Sequence, residues 1–295
     1  MISAPDAVCP CGTGGLTSDE VYKMDMIRFE HVVKSFGENC ILEDFSLQVR
    51  EGEFLTVIGT SGCGKTTMLK LINGLLTPDA GRIFVEGKNL AGADLVALRR
   101  RIGYVIQNGG IFPHMTVEKN ITYVPVISGR KNKAENRQLA LRLLRTVGLE
   151  EEMAGRYPSE LSGGQQQRVG IARALAAEPR ILLMDEPFGA LDEITRQTMQ
   201  DEILRLQKEL KLTIVFITHD IREAMKLGGR MLVMEQGKVR QLDTPEQIRQ
   251  NPADAFVREL VKGFQTAELF EREPRKNPAI PDTMYQEEKP RKKGA

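Results

Sequence analysis

Residues 53–76 read EFLTVIGTSGCGKTTMLKLINGLL, and three patterns follow one another along them. Phe54 to Ile58 is a short apolar run rich in β-forming residues, the pattern of a buried strand. Gly59, Thr60, Ser61, Gly62, Cys63, Gly64, Lys65 and Thr66 then match G-x-x-x-x-G-K-[ST]. From Lys65 onward, apolar residues recur at helical spacing. Glycines let successive backbone N–H groups turn inward around phosphate oxygens. The start of the helix adds the positive end of its dipole. Lys65 can reach the terminal phosphates, the Thr66 hydroxyl can ligate Mg²⁺, and Thr67 completes the loop. The reading is a triphosphate cradle set between a strand and a helix.

The same alternation recurs downstream. RILLMDEP (Arg180–Pro187) and TIVFITHD (Thr213–Asp220) are further runs of buried-strand type. Each is followed by a helical pattern, EITRQTMQDEILRLQKEL (Glu193–Leu210) after the first and IREAMKL (Ile221–Leu227) after the second. Continuous apolar strands alternating with helices predict an α/β fold with a mostly parallel sheet covered on both faces. Upstream, MIRFEHVVKSFG alternates from Met26 as a strand does. From about residue 108 to 178 the pattern is mainly helical and includes NRQLALRLLRTVGL, which reads as a helical subdomain inserted into the core. Residues 1–25 carry no apolar period and are expected to be disordered, with Met24 or Met26 as the expected initiator. Residues 266–295, rich in charge and proline, read as a solvated tail, so the folded unit is expected over 26–265.

A triphosphate cradle needs a second half, an acidic residue at the end of a buried strand. MDEP supplies it: Asp185 would hold Mg²⁺ through water, and Glu186 would polarise the attacking water or hold it in line. Two carboxylates in a strand-to-loop turn are common, and it is the cradle upstream that gives this pair its meaning. Together they indicate a nucleotide-hydrolysing P-loop protein, a class that spans motors, kinases, GTPases and transporters. No NKxD guanine-reading motif is present, which disfavours GTP.

Bulk properties narrow the class. The 295 residues carry 41 basic and 40 acidic side chains, a net charge of +1 that gives no electrostatic case for nucleic acid or bare lipid. No apolar run reaches the roughly 18–20 residues of a membrane span. The first twenty residues lack the basic and apolar regions of a signal peptide. Cys9 and Cys11 have no second pair at zinc-finger spacing, and with Cys40 and Cys63 they are expected to be reduced thiols in a cytosolic compartment.

LSGGQQQRVGIARALAAEP (Leu161–Pro179) places two glycines at the mouth of a helix, where they weaken the local fold, so something is expected to approach that backbone closely. With MDEP following it, LSGGQ makes the chain resemble the ATP-binding subunits of ABC transporters over roughly Ile27 to Gly263. The resemblance implies a RecA-like P-loop core with a mostly parallel sheet, an antiparallel β region and an inserted helical subdomain. It implies ATP and Mg²⁺ as ligands and a head-to-tail homodimer. Ser162, Gly163, Gly164 and Gln165 of one subunit would cap the ATP held by the phosphate loop of the other. Carried over position by position, Phe36 stacks on adenine and Gln107 touches Mg²⁺ and the attacking water. Asp192, in GALD, crosses the dimer interface, and His219 contacts the γ-phosphate. Lys65, Gln107, Glu186 and His219 are the expected catalytic residues, and Thr66, Gln107 and Asp185 the expected metal ligands.

The wording IGYVIQ…FPHMTV, Val124–Pro125 and MDEPFGALDEITRQ further resemble the ATPases of quaternary-amine importers, which take up glycine betaine, choline, carnitine or proline. That resemblance implies a separate membrane permease docking at the helical insertion, an extracytoplasmic substrate-binding protein, no nucleic acid, and a peripheral place on the cytoplasmic face of the membrane. Many members of that group carry a C-terminal pair of CBS regulatory domains; these 295 residues are too short to include them, so ionic-strength sensing by this subunit is not an expectation. Two alternatives stay open: an ATPase of an amino-acid, sulfonate or polyamine importer, and a soluble ABC ATPase outside transport.

Overall fold

The computed structural model describes residues 25–106 and 110–262. The chain opens with β1 (Asp25–Phe36) and β2 (Asn39–Arg50), an antiparallel pair in which Phe29 faces Leu47 and Ile27 faces Val49. β2 alternates buried and exposed positions from Phe45 to Arg50, and β1 buries Met26, Ile27, Phe29 and Val32 beside it. β4 (Ala80–Val85) pairs with the free edge of β1, and the short β5 (Lys88–Asn89) pairs with β4. The result is a four-stranded antiparallel sheet in the order β2-β1-β4-β5.

A second sheet is built from β3 (Phe54–Gly59), β6 (Ile102–Val105), β7 (Ile181–Asp185), β8 (Thr213–Ile217), β9 (Arg230–Glu235) and β10 (Lys238–Asp243). Its order is β10-β9-β3-β8-β7-β6, parallel throughout except for β10. β7 and β8 are buried at every position, which accounts for their unbroken apolar runs. Their side chains divide between two cores. Leu182, Met184, Ile214 and Phe216 join the core that holds the helical segment, whereas Ile181, Leu183, Val215 and Ile217 join the core shared with the antiparallel sheet and α1 (Lys65–Ile72).

Between β6 and β7 lie α3 (Val117–Ile127), α4 (Lys133–Thr146), two 3₁₀ turns (Glu151–Gly155 and Pro158–Glu160) and α5 (Gly163–Leu175); α2 (Leu95–Arg101) precedes β6. α3 starts on the Thr116 cap and α4 on the Asn132 cap, each side chain accepting from backbone N–H groups of the first turn. The apolar stripe of α4, Leu139, Leu143 and Leu144, buries against Val117 and Ile121 of α3 and Val169 and Ile171 of α5. α6 (Glu193–Leu210) and α7 (Ile221–Leu227) follow β7 and β8, capped by Asp192 and Asp220, and α8 (Pro245–Gln250) follows β10. The mixed α/β architecture is the expected one. The readings for residues 1–24, for Gln107 and for the C-terminal tail lie outside the described residues.

Three expected boundaries move. The helical pattern after the cradle suggested a helix to Leu76, but α1 stops at Ile72. Gly74 takes φ +61, and the N–H of Leu75 returns to the carbonyl of Lys70, which closes the helix end. The apolar runs suggested strands to Pro187 and Asp220, but β7 and β8 end at Asp185 and Ile217. Glu186 adopts φ +46 and leaves the sheet, which ends β7, and the residues after Ile217 form a loop.

Candidate functional site

Parallel registration sets three strand ends side by side. Val57 pairs with Ile217, and Ile217 with Asp185, so the carboxyl ends of β3, β8 and β7 form one edge. Ligands of open α/β sheets bind at such an edge. A cleft of about 450 Å³ lies there, lined by Gly59, Ser61, Gly62, Gly64, Lys65, Thr66 and Thr67 of the cradle, with Asp185, Glu186 and His219 opposite and Phe36 at one side. The expected nucleotide residues of the cradle, the acidic strand end, the histidine and the aromatic therefore meet in one place.

The cradle leaves no room at its first position. A Cβ on Gly59 would stand 2.1 Å from the carbonyl oxygen of Met234 on β9 and 2.9 Å from Cys63 Sγ. Thr60 accepts from the N–H of Cys63, and the buried Cys63 packs beneath the loop. Lys65 Nζ donates to the carbonyls of Gly59 (2.9 Å) and Thr60 (2.8 Å), so its charge is held at the mouth of the loop by neutral acceptors that a phosphate can replace.

Asp185 is only 6% exposed. Burial holds its carboxyl above the usual carboxylate range, against the opposing pull of a hydrogen bond from the Thr66 hydroxyl and the nearby ammonium groups of Lys70 and Lys65. A hydroxyl and a carboxylate already in contact at the cradle mouth are hard oxygen donors and fit Mg²⁺. Burial and Asp185 together push the Tyr104 phenol up to about 12, so it stays protonated. Glu186 follows in the left-handed region that L side chains rarely adopt. His219 Nδ1 lies 3.4 Å from Glu186 Oε2, with the imidazole largely exposed. Phe36 is 48% exposed, and the Lys34 ammonium lies 5.5 Å from its ring centroid. Lys34 and the N–H of Ser35 both bond Asp79, which steadies that aromatic.

The glycine-rich stretch Ser162–Gln165 does not line this cleft among the described residues. It begins α5, where Ser162 Oγ accepts from the Gln165 N–H (3.2 Å) and Gln165 Oε1 accepts from the Ser162 N–H (2.9 Å), a capping box. Gln165 thus has a local role that the sequence reading did not give it, while accepting at Oγ leaves the Ser162 hydroxyl hydrogen available to donate. A Cβ on Gly163 would meet nothing of its own chain nearer than Ala190 Cβ at 3.9 Å; on Gly164 it would stand 3.2 Å from the carbonyl of Ala190. Packing within the chain therefore accounts for Gly164 and does not account for Gly163. Asp192 caps α6 through the N–H of Thr195, and that bond holds its carboxyl below the usual range.

Sequence reasoning missed three residues that bind these parts together. Gln167, 2% exposed, bridges α5 to the loop after β7. Glu223 is buried on α7, accepting from Thr218 Oγ1 at 2.6 Å and from Gln200 at 3.4 Å, with Arg196 Nε 3.7 Å away. Arg196 in turn donates to the carbonyl of Leu191, next to Asp192. The only sequence signal for Gln167 is its place four residues before Ile171 and three after Gly164, on the buried face of a helix.

Comparison with known proteins gives a consistent picture. Residues 42–189 match the family model described as ABC transporter. Over 237 residues the chain is 50% identical to the carnitine transport ATP-binding protein OpuCA of Listeria monocytogenes serotype 1/2a (strain 10403S), covering 80% of this chain and 59% of that one. It is 47% identical over 235 residues to the glycine betaine uptake system ATP-binding protein YehX of Escherichia coli (strain K12), covering 80% and 76%. The chain thus spans about three-fifths of the first relative's length. Among solved structures, the dimeric ATP-binding cassette MJ0796 in a post-hydrolysis state bound to ADP and Pi superposes with a TM-score of 0.71 at 36% identity, covering 75% of this chain and 99% of that one.

Proposed function

The chain belongs to the ABC transporter family of ATP-binding proteins, and from that premise we propose that it is the ATP-hydrolysing subunit of an importer for quaternary-amine osmoprotectants. Glycine betaine, carnitine, choline and proline are the substrate class, in keeping with the carnitine and glycine betaine transport named for its relatives. No helix of the described residues is long and apolar enough to cross a membrane, and in this reading translocation belongs to a separate permease, with the chain held at the cytoplasmic face. An extracytoplasmic binding protein would deliver the substrate to that permease.

The observation that carries the reading is the separation of the two halves of the nucleotide grip. Lys65, Thr66, Asp185, Glu186 and His219 line one cleft, whereas Ser162 and Gly163 lie outside it on another helix. Gly163 has no steric cause inside its own chain, so its bare backbone suits a group arriving from elsewhere, the γ-phosphate held by a second copy. Two copies placed head to tail complete two sites by two-fold symmetry.

Within each site the positions support the following roles. Lys65 exchanges its loop carbonyls for the β- and γ-phosphates. Thr66 and Asp185 would hold Mg²⁺, which supplies charge neutralisation between the phosphates when bound. Glu186 orients and polarises the attacking water, and His219, at its side, contacts the γ-phosphate. Phe36 offers its face to adenine. ATP bridges the two copies and hydrolysis removes the bridge, so ATP biases an open–closed equilibrium.

The experiment is uptake of labelled glycine betaine, carnitine, choline and proline by cells lacking this gene, at low and high salt. Loss of uptake restored by the gene and not by a Glu186→Gln copy supports the reading. Unchanged uptake of all four removes the substrate class.

A further inference from the structure

We propose that Gln167 is a positioning residue that couples the two nucleotide sites of the dimer, an inference that rests on the split-site reading above. Gln167 lies one turn into α5, the helix whose first residues follow Ser162. Its buried side chain spans residues 186–190 of the connection between β7 and α6. Nε2 donates to the carbonyl of Glu186 at 3.2 Å, and Oε1 accepts from the N–H of Ala190 at 3.0 Å. One side chain thus ties together two points of the loop that carries Glu186, its first residue and Ala190.

That loop needs fixing. Glu186 sits at φ +46, a conformation that persists only where its surroundings impose it. Its carbonyl accepts from the N–H of Gly189 at 3.4 Å and, at the shorter distance of 3.2 Å, from Gln167 Nε2. The amide is 2% exposed, and neither of its hydrogen bonds is readily exchanged for water.

The consequence comes from which site each end serves. The start of α5 grips the nucleotide bound to the neighbouring copy, while Glu186 acts on the nucleotide bound to its own chain. When Ser162 and Gly163 close on a phosphate, α5 moves as a unit, and Gln167 carries the Glu186 carbonyl and the Ala190 N–H with it. Occupancy of one site is thereby transmitted to the carboxylate of the other through one side chain and two backbone groups, a contiguous physical link.

The test replaces Gln167 with Met, which keeps the volume and removes both hydrogen bonds. On the full chain, single-chain affinity for a fluorescent ATP analogue should stay within about threefold, while kcat falls about tenfold or more. The Hill coefficient for ATP should fall toward one from a wild-type value above one. ATP-driven pairing should persist in a Glu186→Gln background. Gln167→Glu keeps only the acceptor for Ala190 and should show the same split, and it carries the test if the Met variant fails to fold. A kcat within about twofold of wild type with an unchanged Hill coefficient overturns the proposal. So does a loss of affinity that matches the loss of kcat. Absence of ATP-driven pairing in Glu186→Gln alone overturns the split-site reading itself, a result separate from a normal kcat in Gln167→Met.

Discussion

His219 Nδ1 stands 3.4 Å from Glu186 Oε2, a contact between residues that leave two adjacent parallel strands, β8 and β7, at the same edge. It places an imidazole beside the carboxylate assigned to the water. With the ring largely exposed, the pair adds little to the stability of the fold, and its value lies in the bound state. His219→Ala should therefore lower kcat about 100-fold while single-chain ATP affinity moves less than about threefold. Phosphate release at saturating ATP, set beside a fluorescent-ATP titration, measures both. Equal losses in the two would assign His219 to binding instead.

Lys65 donates to two loop carbonyls and lies 3.8 Å from Cys63 Sγ, meeting no carboxylate among the described residues, so its removal should affect folding little. Its charge acts when phosphate arrives. Lys65→Ala should weaken nucleotide binding by about 2 kcal/mol, roughly thirtyfold in Kd, with Tm nearly unchanged. An affinity close to wild type would show that the cradle's backbone suffices without it.

Two glycines should separate structural from functional need. Gly59→Ala drives a Cβ to 2.1 Å from a backbone oxygen on β9 and should cost about 1–3 kcal/mol of stability, visible as a lower Tm. Gly163→Ala meets nothing within 3.9 Å; it should leave Tm unchanged and still depress ATP hydrolysis about tenfold or more. Thermal melting and phosphate release on the two variants give the comparison. The prediction fails if Gly163→Ala is as active as wild type.

Burial raises the Glu223 carboxyl above its ordinary value of 4.5, outweighing the hydrogen bond from Thr218 and the Arg196 charge. The folded chain then holds this proton more tightly than the unfolded chain. Its contribution to stability is full below the unfolded value and is lost as pH rises through the folded one. Glu223→Gln carries no such titration. Urea unfolding across a pH series should show wild type losing stability relative to Glu223→Gln as pH rises from about 4 toward neutrality. A wild type that gains on the variant over that range would reverse the assignment.

The parts of the site that read clearly from sequence are those with local chemistry. Gly59 to Thr66 announce themselves by spacing, and the apolar runs of β7 and β8 give the strand ends that carry Asp185 and Ile217. α6 and α7 were legible to the residue, because Asp192 and Asp220 cap helices of clean apolar period. What stayed hidden depends on tertiary contact. QQQ at 165–167 gives three identical letters and three different fates: a capping box for Gln165, bonds to the carbonyls of Pro158 and Leu161 for Gln166, and a buried bridge for Gln167. Glu223, by composition a surface acid, is buried by partners on two other segments. The apolar run of β7 overshoots its end because such a run does not reveal a positive φ at Glu186.

The most direct measurement is the mass of the Glu186→Gln chain in solution with ATP, with and without a second change, Gly163→Trp. Glu186→Gln should double in mass on adding ATP and carry one nucleotide per chain. The double variant should bind ATP with the same single-chain affinity and stay at single-chain mass. A double variant that pairs as readily as Glu186→Gln, or a Glu186→Gln chain that saturates with ATP and never pairs, would contradict the claim that each nucleotide is gripped by two molecules.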